Sequence, residues 1–335
     1  MSLSLMNDQN IDLSTTVKKA KLEVLVRSVM VLADNICSFE LVDPAGHALP
    51  EFTAGAHVDI HLANGLIRQY SLCTDPAETD RYVIAVLREP QGRGGSVAMH
   101  EELRPGTRVT ISAPRNNFKL AAGAERHVFL AGGIGITPIM SMIAAAQAGG
   151  KDFHLYYCAR SPERTAFLDV LQPLVAAGKA TVHFDGGDPA RSLDLKAVLR
   201  DHRPGTHLYY CGPNGMLNAA EAASEHWPPG TRHCERFSAA PAAPAAAPDL
   251  PFEIELARSG GCYVVAPGKS IVQVLKANGI TVETSCEEGF CGTCMTRYLA
   301  GQPLHRDTVL DDEDREEFLM ICCSRAKSGR IVLDL

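Results

Sequence analysis

Three cysteines within nine residues constrain this chain more than any other feature: Ser285-Cys286-Glu287-Glu288-Gly289-Phe290-Cys291-Gly292-Thr293-Cys294. A further pair follows in Met320-Ile321-Cys322-Cys323. The C-x4-C-x2-C spacing with a distant fourth thiol matches the plant-type [2Fe–2S] ligand pattern. A structural zinc site usually pairs two short Cys or His knuckles, whereas here three thiols crowd one loop. Glycines in the loop let the backbone turn tightly and bring N–H groups toward the sulfurs. Spacing leaves the fourth ligand open between Cys322 and Cys323. The plain alternative is a set of buried or disulfide-bonded cysteines.

At 335 residues the chain is long enough for two or three domains, each with its own core. No apolar run approaches the roughly 18 to 20 residues needed to cross a bilayer. Met1 to Thr16 is polar, with neither the basic nor the apolar region of a secretory signal, so a cytoplasmic protein is expected. Eleven cysteines in such a chain argue for metal ligation or buried thiols. The net charge of −7 gives no electrostatic reason to expect nucleic acid. The acidic run Asp311-Asp312-Glu313-Asp314, with Glu316 and Glu317, reads first as a solvated face and second as a docking patch for a basic partner.

From Val17 to Arg115 short alternating segments are punctuated by Gly, Pro, Asn and Asp, the pattern of an antiparallel β-barrel. Strands are expected at 22–26, 38–42, 57–61, 68–73, 82–87 and 108–111. Arg68-Gln69-Tyr70-Ser71-Leu72 offers a guanidinium for a phosphate, and Tyr70 and Ser71 can lie along a flat heteroaromatic ring. Arg88 and the run Gly92-Arg93-Gly94-Gly95-Ser96 add a phosphate cradle, with Ser96 expected to cap the helix through His100. Together they favour a flavin. An Arg on a strand is otherwise an ordinary solvated side chain.

Near Arg126 the period changes. His127 to Ala131 reads as a buried strand, and Gly132-Gly133-Ile134-Gly135-Ile136-Thr137-Pro138 turns it into a helix over 139–147, with Thr137 as N-cap and Pro138 as first helical residue. Strands then alternate with helices to Glu225, the pattern of a doubly wound parallel sheet with its ligand at the strands' carboxyl ends. Gly132, Gly133, Gly135 and Cys211-Gly212-Pro213 belong at such ends. Pro138 stands where the dehydrogenase fingerprint has its third glycine, and a tight turn alone would account for the loop. No acidic residue closes the second strand, where Ala159-Arg160-Ser161 stands; Arg160 suits a 2′-phosphate, so spacing leaves NADH against NADPH open. Cys211 reads as a packed thiol at a strand end, near the nicotinamide.

The Pro and Ala tract from Ser238 to Pro248 reads as a semi-extended connector. Beyond it, 252–256 and 262–265 form a hairpin-like pair, 271–279 a short helix, and strand signals return at 296–299 and 331–333. The last unit is therefore a compact α+β fold around the cysteine loop.

With these residues in hand, the chain from about Lys19 to Leu335 resembles the phthalate dioxygenase reductase family, which also includes vanillate demethylase reductases. Three motif groups carry the resemblance in order: Arg68 to Leu72 with Gly92 to Ser96; Gly132 to Pro138 with Cys211-Gly212-Pro213; and the cysteine loop with Cys322-Cys323-Ser324-Arg325-Ala326. It implies a ferredoxin-reductase-type FMN barrel over 17–123, an NADH domain over 124–237, a linker over 238–250 and a ferredoxin-like [2Fe–2S] domain over 251–335. NADPH is the second choice of donor. The resemblance assigns the fourth ligand to Cys322 beside Cys286, Cys291 and Cys294. It also sets Phe237 against the flavin, where a domain-end core aromatic is the alternative. Gln69 departs from the Thr often found between Arg and Tyr.

The function this implies is the reductase component of a Rieske-type aromatic oxygenase or demethylase, acting as a monomer on a separate terminal oxygenase. A flavin between nicotinamide and cluster is chemically required, because it converts the electron pair of one hydride into single electrons. The chain carries no paired C-x-H and C-x-x-H motif of its own for a Rieske centre. Two rivals are a free-standing reductase of ferric chelates, flavins or a cytochrome, and a redox-sensing binding module.

Overall fold

The computed structural model describes residues 21–238 and 249–335. Most of the expected connector, and residues 17–20 of the expected barrel, lie outside them. The first unit comprises β1 (Lys21–Ala33), β2 (Ile36–Val42), β3 (His57–His61), β4 (Ile67–Ser71), β5 (Tyr82–Leu87), α1 (Gly95–Glu102) and β6 (Arg108–Ser112). Its sheet runs β4-β3-β6-β1-β2-β5, antiparallel throughout. The two edge strands meet through a Leu72–Ile84 bridge, with Cys73 N–H donating to the Val83 carbonyl at 2.8 Å, so the sheet curls into a barrel without a full closing ladder. Alternation sends Val24, Val26, Phe39, Leu41, Val58 and Ile60 inward to one core.

The second unit comprises β7 (Arg126–Gly132), α2 (Ile136–Ala148), β8 (Asp152–Ala159), α3 (Leu168–Ala176), β9 (Ala180–Phe184), α4 (Leu195–Val198), β10 (Thr206–Cys211), α5 (Asn214–Ala223) and β11 (Arg232–Glu235). All five strands are parallel, in the order β11-β10-β7-β8-β9. Consecutive residues of β7 serve opposite faces. Phe129 and Ala131 pack with α2 and α3, while Val128 and Leu130 pack with Leu195, Leu217 and Trp227. The first of these cores also takes in Ile36, Ala54, Ala85 and Phe118 from the barrel side, which joins the two units through shared apolar burial.

The third unit comprises β12 (Phe252–Leu256), β13 (Cys262–Val265), α6 (Ile271–Ala277), β14 (Met295–Leu304), α7 (Asp314–Glu317), β15 (Phe318–Met320) and β16 (Arg325–Leu333). Its mixed sheet runs β13-β12-β16-β14-β15. A full capping box starts α6: the Ser270 hydroxyl accepts from Gln273 N–H at 3.1 Å, and the Gln273 side chain accepts from Ser270 N–H at 3.1 Å. Arg325, 4% exposed, ties the unit's start to its end by donating to the Lys269 carbonyl at 2.8 Å and the Leu250 carbonyl at 3.0 Å.

Two expected helix caps are corrected. Helix α1 starts at Gly95, with Gly94 as N-cap at φ 77°, and the Ser96 hydroxyl instead accepts the Glu89 N–H at 3.0 Å. Helix α2 starts at Ile136 because Gly133–Gly135 already forms a 3₁₀ turn. Thr137 therefore lies inside the helix, where its hydroxyl donates to the Ile134 carbonyl at 3.0 Å. Helix α4 is a single turn, whose N-cap Asp194 accepts from Ala197 N–H at 3.1 Å.

Candidate functional site

A cavity of about 630 Å³ opens where the three units meet. The barrel contributes Arg68, Tyr70, Ser71 and the 92–96 loop; the middle unit contributes Ile134, Thr137 and 234–238; the last unit contributes Glu288, Phe290, Thr308 and Val309. Strand β4 carries Arg68 to the wall, and α1 aims its N-terminus beside it.

Arg68 lies across Gly95. It donates to the Ile67 carbonyl at 2.8 Å and the Arg93 carbonyl at 2.9 Å, while Arg93 donates to the Cys286 carbonyl. Burial, then the nearby Arg93 charge, pulls the Arg68 pKa down. Two guanidiniums held by main-chain carbonyls at a helix N-terminus suit an anionic phosphate. Tyr70 is half-buried, and desolvation raises its phenol well above the usual range, so it stays neutral. Phe237, 40% exposed, presents its ring to the same cavity.

Glu235 is one of the polar residues of this cavity that sequence reasoning missed. It ends β11 in register with Cys211, and its Oε2 is buried without a hydrogen-bond partner. Burial raises its pKa from 4.5 to about 8, so the carboxyl is largely protonated at neutral pH and available as a donor. An orphaned carboxyl facing a cavity with a cationic phosphate cradle and two aromatic walls fits a flavin mononucleotide.

The crevice next to it is built from glycine. A Cβ on Gly135 would lie 2.3 Å from the Cys211 carbonyl oxygen, and one on Gly212 would lie 2.9 Å from the Gly132 Cα. One on Gly132 would meet Pro213 at 2.7 Å. The turns after β7 and β10 thus touch backbone to backbone, leaving N–H groups near the start of α2 for a pyrophosphate. Gly133 holds φ 51°.

Some expected residues fall elsewhere. Arg88 pairs with Glu101 at 2.7 Å, outside the cavity lining. Leu72 is fully buried in the barrel core. Cys211 is also fully buried, beneath the glycine crevice, and desolvation raises its thiol far above the usual range. Arg160 is exposed beyond β8, away from the cavity lining, with its side chain near Gly187.

The four cysteines Cys286, Cys291, Cys294 and Cys322 are 4%, 1%, 4% and 5% exposed and form one buried group. Main-chain N–H groups already point at the sulfurs: Glu288 N–H to Cys286 at 3.3 Å and Cys286 N–H to Cys291 at 3.5 Å. The Cys286 thiol and burial drive the Cys291 pKa far up, a crowding that cations would relieve. Gly289 sits at φ 83°, and a Cβ there would lie 2.5 Å from the Cys323 sulfur. Among the described residues no three His, Cys, Asp or Glu side chains surround a single ion position. A two-iron cluster takes two thiolates per iron, so its ligands need no common centre. The donors fit such a cluster. Among the described residues no helix is long and apolar enough to cross a membrane.

Residues 254–327 match the 2Fe-2S iron-sulfur cluster binding domain, and residues 109–228 match the N-terminal domain of dimethylamine monooxygenase subunit DmmA-like proteins. The chain is 47% identical over 326 residues to the tert-butanol monooxygenase / tert-amyl alcohol desaturase reductase subunit of Aquincola tertiaricarbonis, covering 95% of this chain and 97% of that one. It is 45% identical over 318 residues to vanillate O-demethylase oxidoreductase of Pseudomonas sp. strain HR199, covering 94% and 100%. It is 42% identical over 315 residues to phthalate dioxygenase reductase of Burkholderia cepacia, covering 94% and 97%. A solved phthalate dioxygenase reductase, described as a modular structure for electron transfer from pyridine nucleotides to [2Fe-2S], superposes with a TM-score of 0.72 at 41% identity, over 94% of this chain and 98% of that one. An intact type IV self-sufficient cytochrome P450 monooxygenase superposes with a TM-score of 0.83 at 37% identity, over 94% of this chain and 41% of the longer one. Motif order, domain order and near full-length identity agree: the chain belongs to the phthalate dioxygenase reductase family.

Proposed function

We propose that this protein is the NADH-dependent reductase component of a Rieske-type oxygenase or demethylase system, delivering electrons through FMN and a [2Fe–2S] cluster to a separate terminal oxygenase. The observation that carries the reading is one cavity walled jointly by the barrel, the end of the parallel sheet and the cysteine loop. Its units are assigned as a flavin barrel over 17–123, a nicotinamide unit over 124–237, a connector over 238–250 and a cluster unit over 251–335. Because one chain lines the whole site, a monomer suffices as the working unit. The eleven free cysteines suit a cytoplasmic setting.

A bound flavin would supply two-electron acceptance of one hydride from NADH, and a bound cluster would supply one-electron acceptance. The protein's task is placement. Arg68 and the N–H groups of Gly95 and Ser96 would bind the phosphate, while Tyr70, Ser71 and Phe237 would orient the ring. Glu235, protonated at neutral pH, can donate a hydrogen bond into the cavity. The close-packed turns with Gly132, Gly133, Gly135, Gly212 and Pro213 would hold the pyrophosphate, with Thr137 and Pro138 shaping the first turn of α2. Cys286, Cys291, Cys294 and Cys322 would hold the irons in a pocket closed to water. Arg88, Leu72, Arg160 and Cys211 would support this frame from outside the cavity.

The test is an anaerobic titration with NADH that follows flavin absorbance and the reduced-cluster EPR signal together. Bleaching of the flavin with growth of the EPR signal supports the relay. Flavin reduction beside an intact cluster that stays oxidised would favour the free-standing reductase.

A further inference from the structure

We propose that Gln69, set by the ion pair of buried Asp59 with Arg115, is a positioning residue that clasps the cysteine loop to the flavin barrel and fixes the separation of the two redox sites. This rests on the relay reading above. Gln69 on β4 stands opposite Asp59 on β3 in the barrel ladder. Its side-chain amide crosses to the third unit and donates to the Cys291 carbonyl at 2.7 Å, a link between residues 222 positions apart.

Asp59 is 2% exposed, and its Oδ1 accepts from Arg115 at 2.8 Å. The same oxygen lies 3.5 Å from the Gln69 amide nitrogen and 3.5 Å from the Thr293 hydroxyl. Thr293, 3% exposed, in turn lies 3.4 Å from the Cys291 sulfur. A single barrel carboxylate therefore organises two contacts to the loop that carries three of the cluster ligands. Both neighbours of the Gln69 amide nitrogen, the Cys291 carbonyl and Asp59, are acceptors. The –NH₂ group can donate to both, whereas the carboxylate of Glu at this position would repel both.

Two other links across the seam are weaker or serve other ends. Lys21 and Glu283 pair at 2.8 Å, but both side chains are more than 40% exposed, where ion pairs contribute little. Arg93 reaches the Cys286 carbonyl while its own carbonyl holds Arg68. The Gln69 contact, with Thr293 held against the same carboxylate, is thus given over to holding the loop. Its net worth of a typical hydrogen bond corresponds to about a tenfold shift between docked and undocked states.

The experiment compares holoenzyme of wild type, Gln69→Leu, Gln69→Glu and Asp59→Asn. Hydrogen exchange reads the amides of residues 286–294, and anaerobic stopped-flow with NADH separates flavin reduction from the later arrival of electrons at the cluster. Iron content and the EPR line shape check that the cluster is intact. The expected result is about tenfold faster exchange in the loop and a later phase slowed by about tenfold, with Gln69→Glu more affected than Gln69→Leu. Loop exchange and a later phase within twofold of wild type in both Gln69 variants overturn the proposal. Gln69 is only half-buried, so its variants decide the matter if Asp59→Asn does not fold. If wild type never passes electrons to its cluster, the relay reading fails, and exchange alone still decides whether Gln69 clasps the loop.

Discussion

The Arg68 side chain occupies the space a methyl group on Gly95 would need: a Cβ there would lie 2.4 Å from Arg68 Cγ and 2.3 Å from Nε. Gly95→Ala must therefore push the guanidinium off the start of α1. The expected outcome is a protein that folds but loses flavin on dilution, with its FMN dissociation constant raised roughly tenfold or more, equivalent to about 1.4 kcal/mol. Quenching of flavin fluorescence on titration of flavin-free protein measures it.

Glu235 gives the flavin-free protein a pH signature. Its carboxyl is raised from 4.5 to about 8 in the folded state, so the unfolded chain ionises first. Stability attributable to this group is greatest below pH 4.5, falls as pH rises from there to about 8, and is flat above. Gln at 235 removes this slope and gains on the order of 2 kcal/mol at pH 8 relative to wild type, part of the full shift being screened by water in the cavity. Urea unfolding of both proteins at pH 5, 6.5 and 8 checks the sign; a wild-type slope unchanged in Glu235→Gln contradicts it.

The choice between adjacent thiols has a direct test. Cys322 belongs to the buried group with Cys286, Cys291 and Cys294, whereas the half-buried Cys323 directs its thiol to the Met320 carbonyl at 3.7 Å. Cys322→Ser is expected to lose most of its iron and the visible absorbance of the cluster. Cys323→Ser should retain both within about a fifth of wild type. Iron analysis per flavin settles the pair.

Gly135→Ala places a methyl 2.3 Å from the Cys211 carbonyl oxygen, against main chain that cannot swing away. Parting β10 from the start of α2 should cost about 1 to 3 kcal/mol of stability. The KM for NADH should rise about tenfold, with a smaller change in flavin content. Thermal unfolding and steady-state reduction of an artificial acceptor read these separately.

Strands with clean alternation were legible from sequence: β3, β5, β12 and β13 have the bounds their residues predict. The cysteine loop was legible because ligand spacing is local. Strand β11 was not, since Arg232–Glu235 is short and polar and survives only as the edge of a parallel sheet. The caps at Ser96 and Thr137 were misread because each hydroxyl has a better partner set by the fold, Glu89 N–H and the Ile134 carbonyl. Arg88 was drawn off by Glu101, thirteen residues away in sequence and one ion pair away in space. Glu235 matters through its place in a cavity between units and Gln69 through a contact between units, and no local pattern announces either.

The central strand of the last sheet, β16, follows both of its sheet neighbours, β12 and β14, in the chain. During synthesis the 77 residues between Leu256 and Leu333 take roughly 4 to 15 s at 5–20 residues per second. Once β13 has followed, the β12–β13 hairpin waits with one edge unsatisfied until β16 is made, and Cys322 is the last of the four thiols to be made. The barrel and parallel sheet can already be packed on each other. The four ligands are therefore present together only after the barrel and the parallel sheet have had time to form.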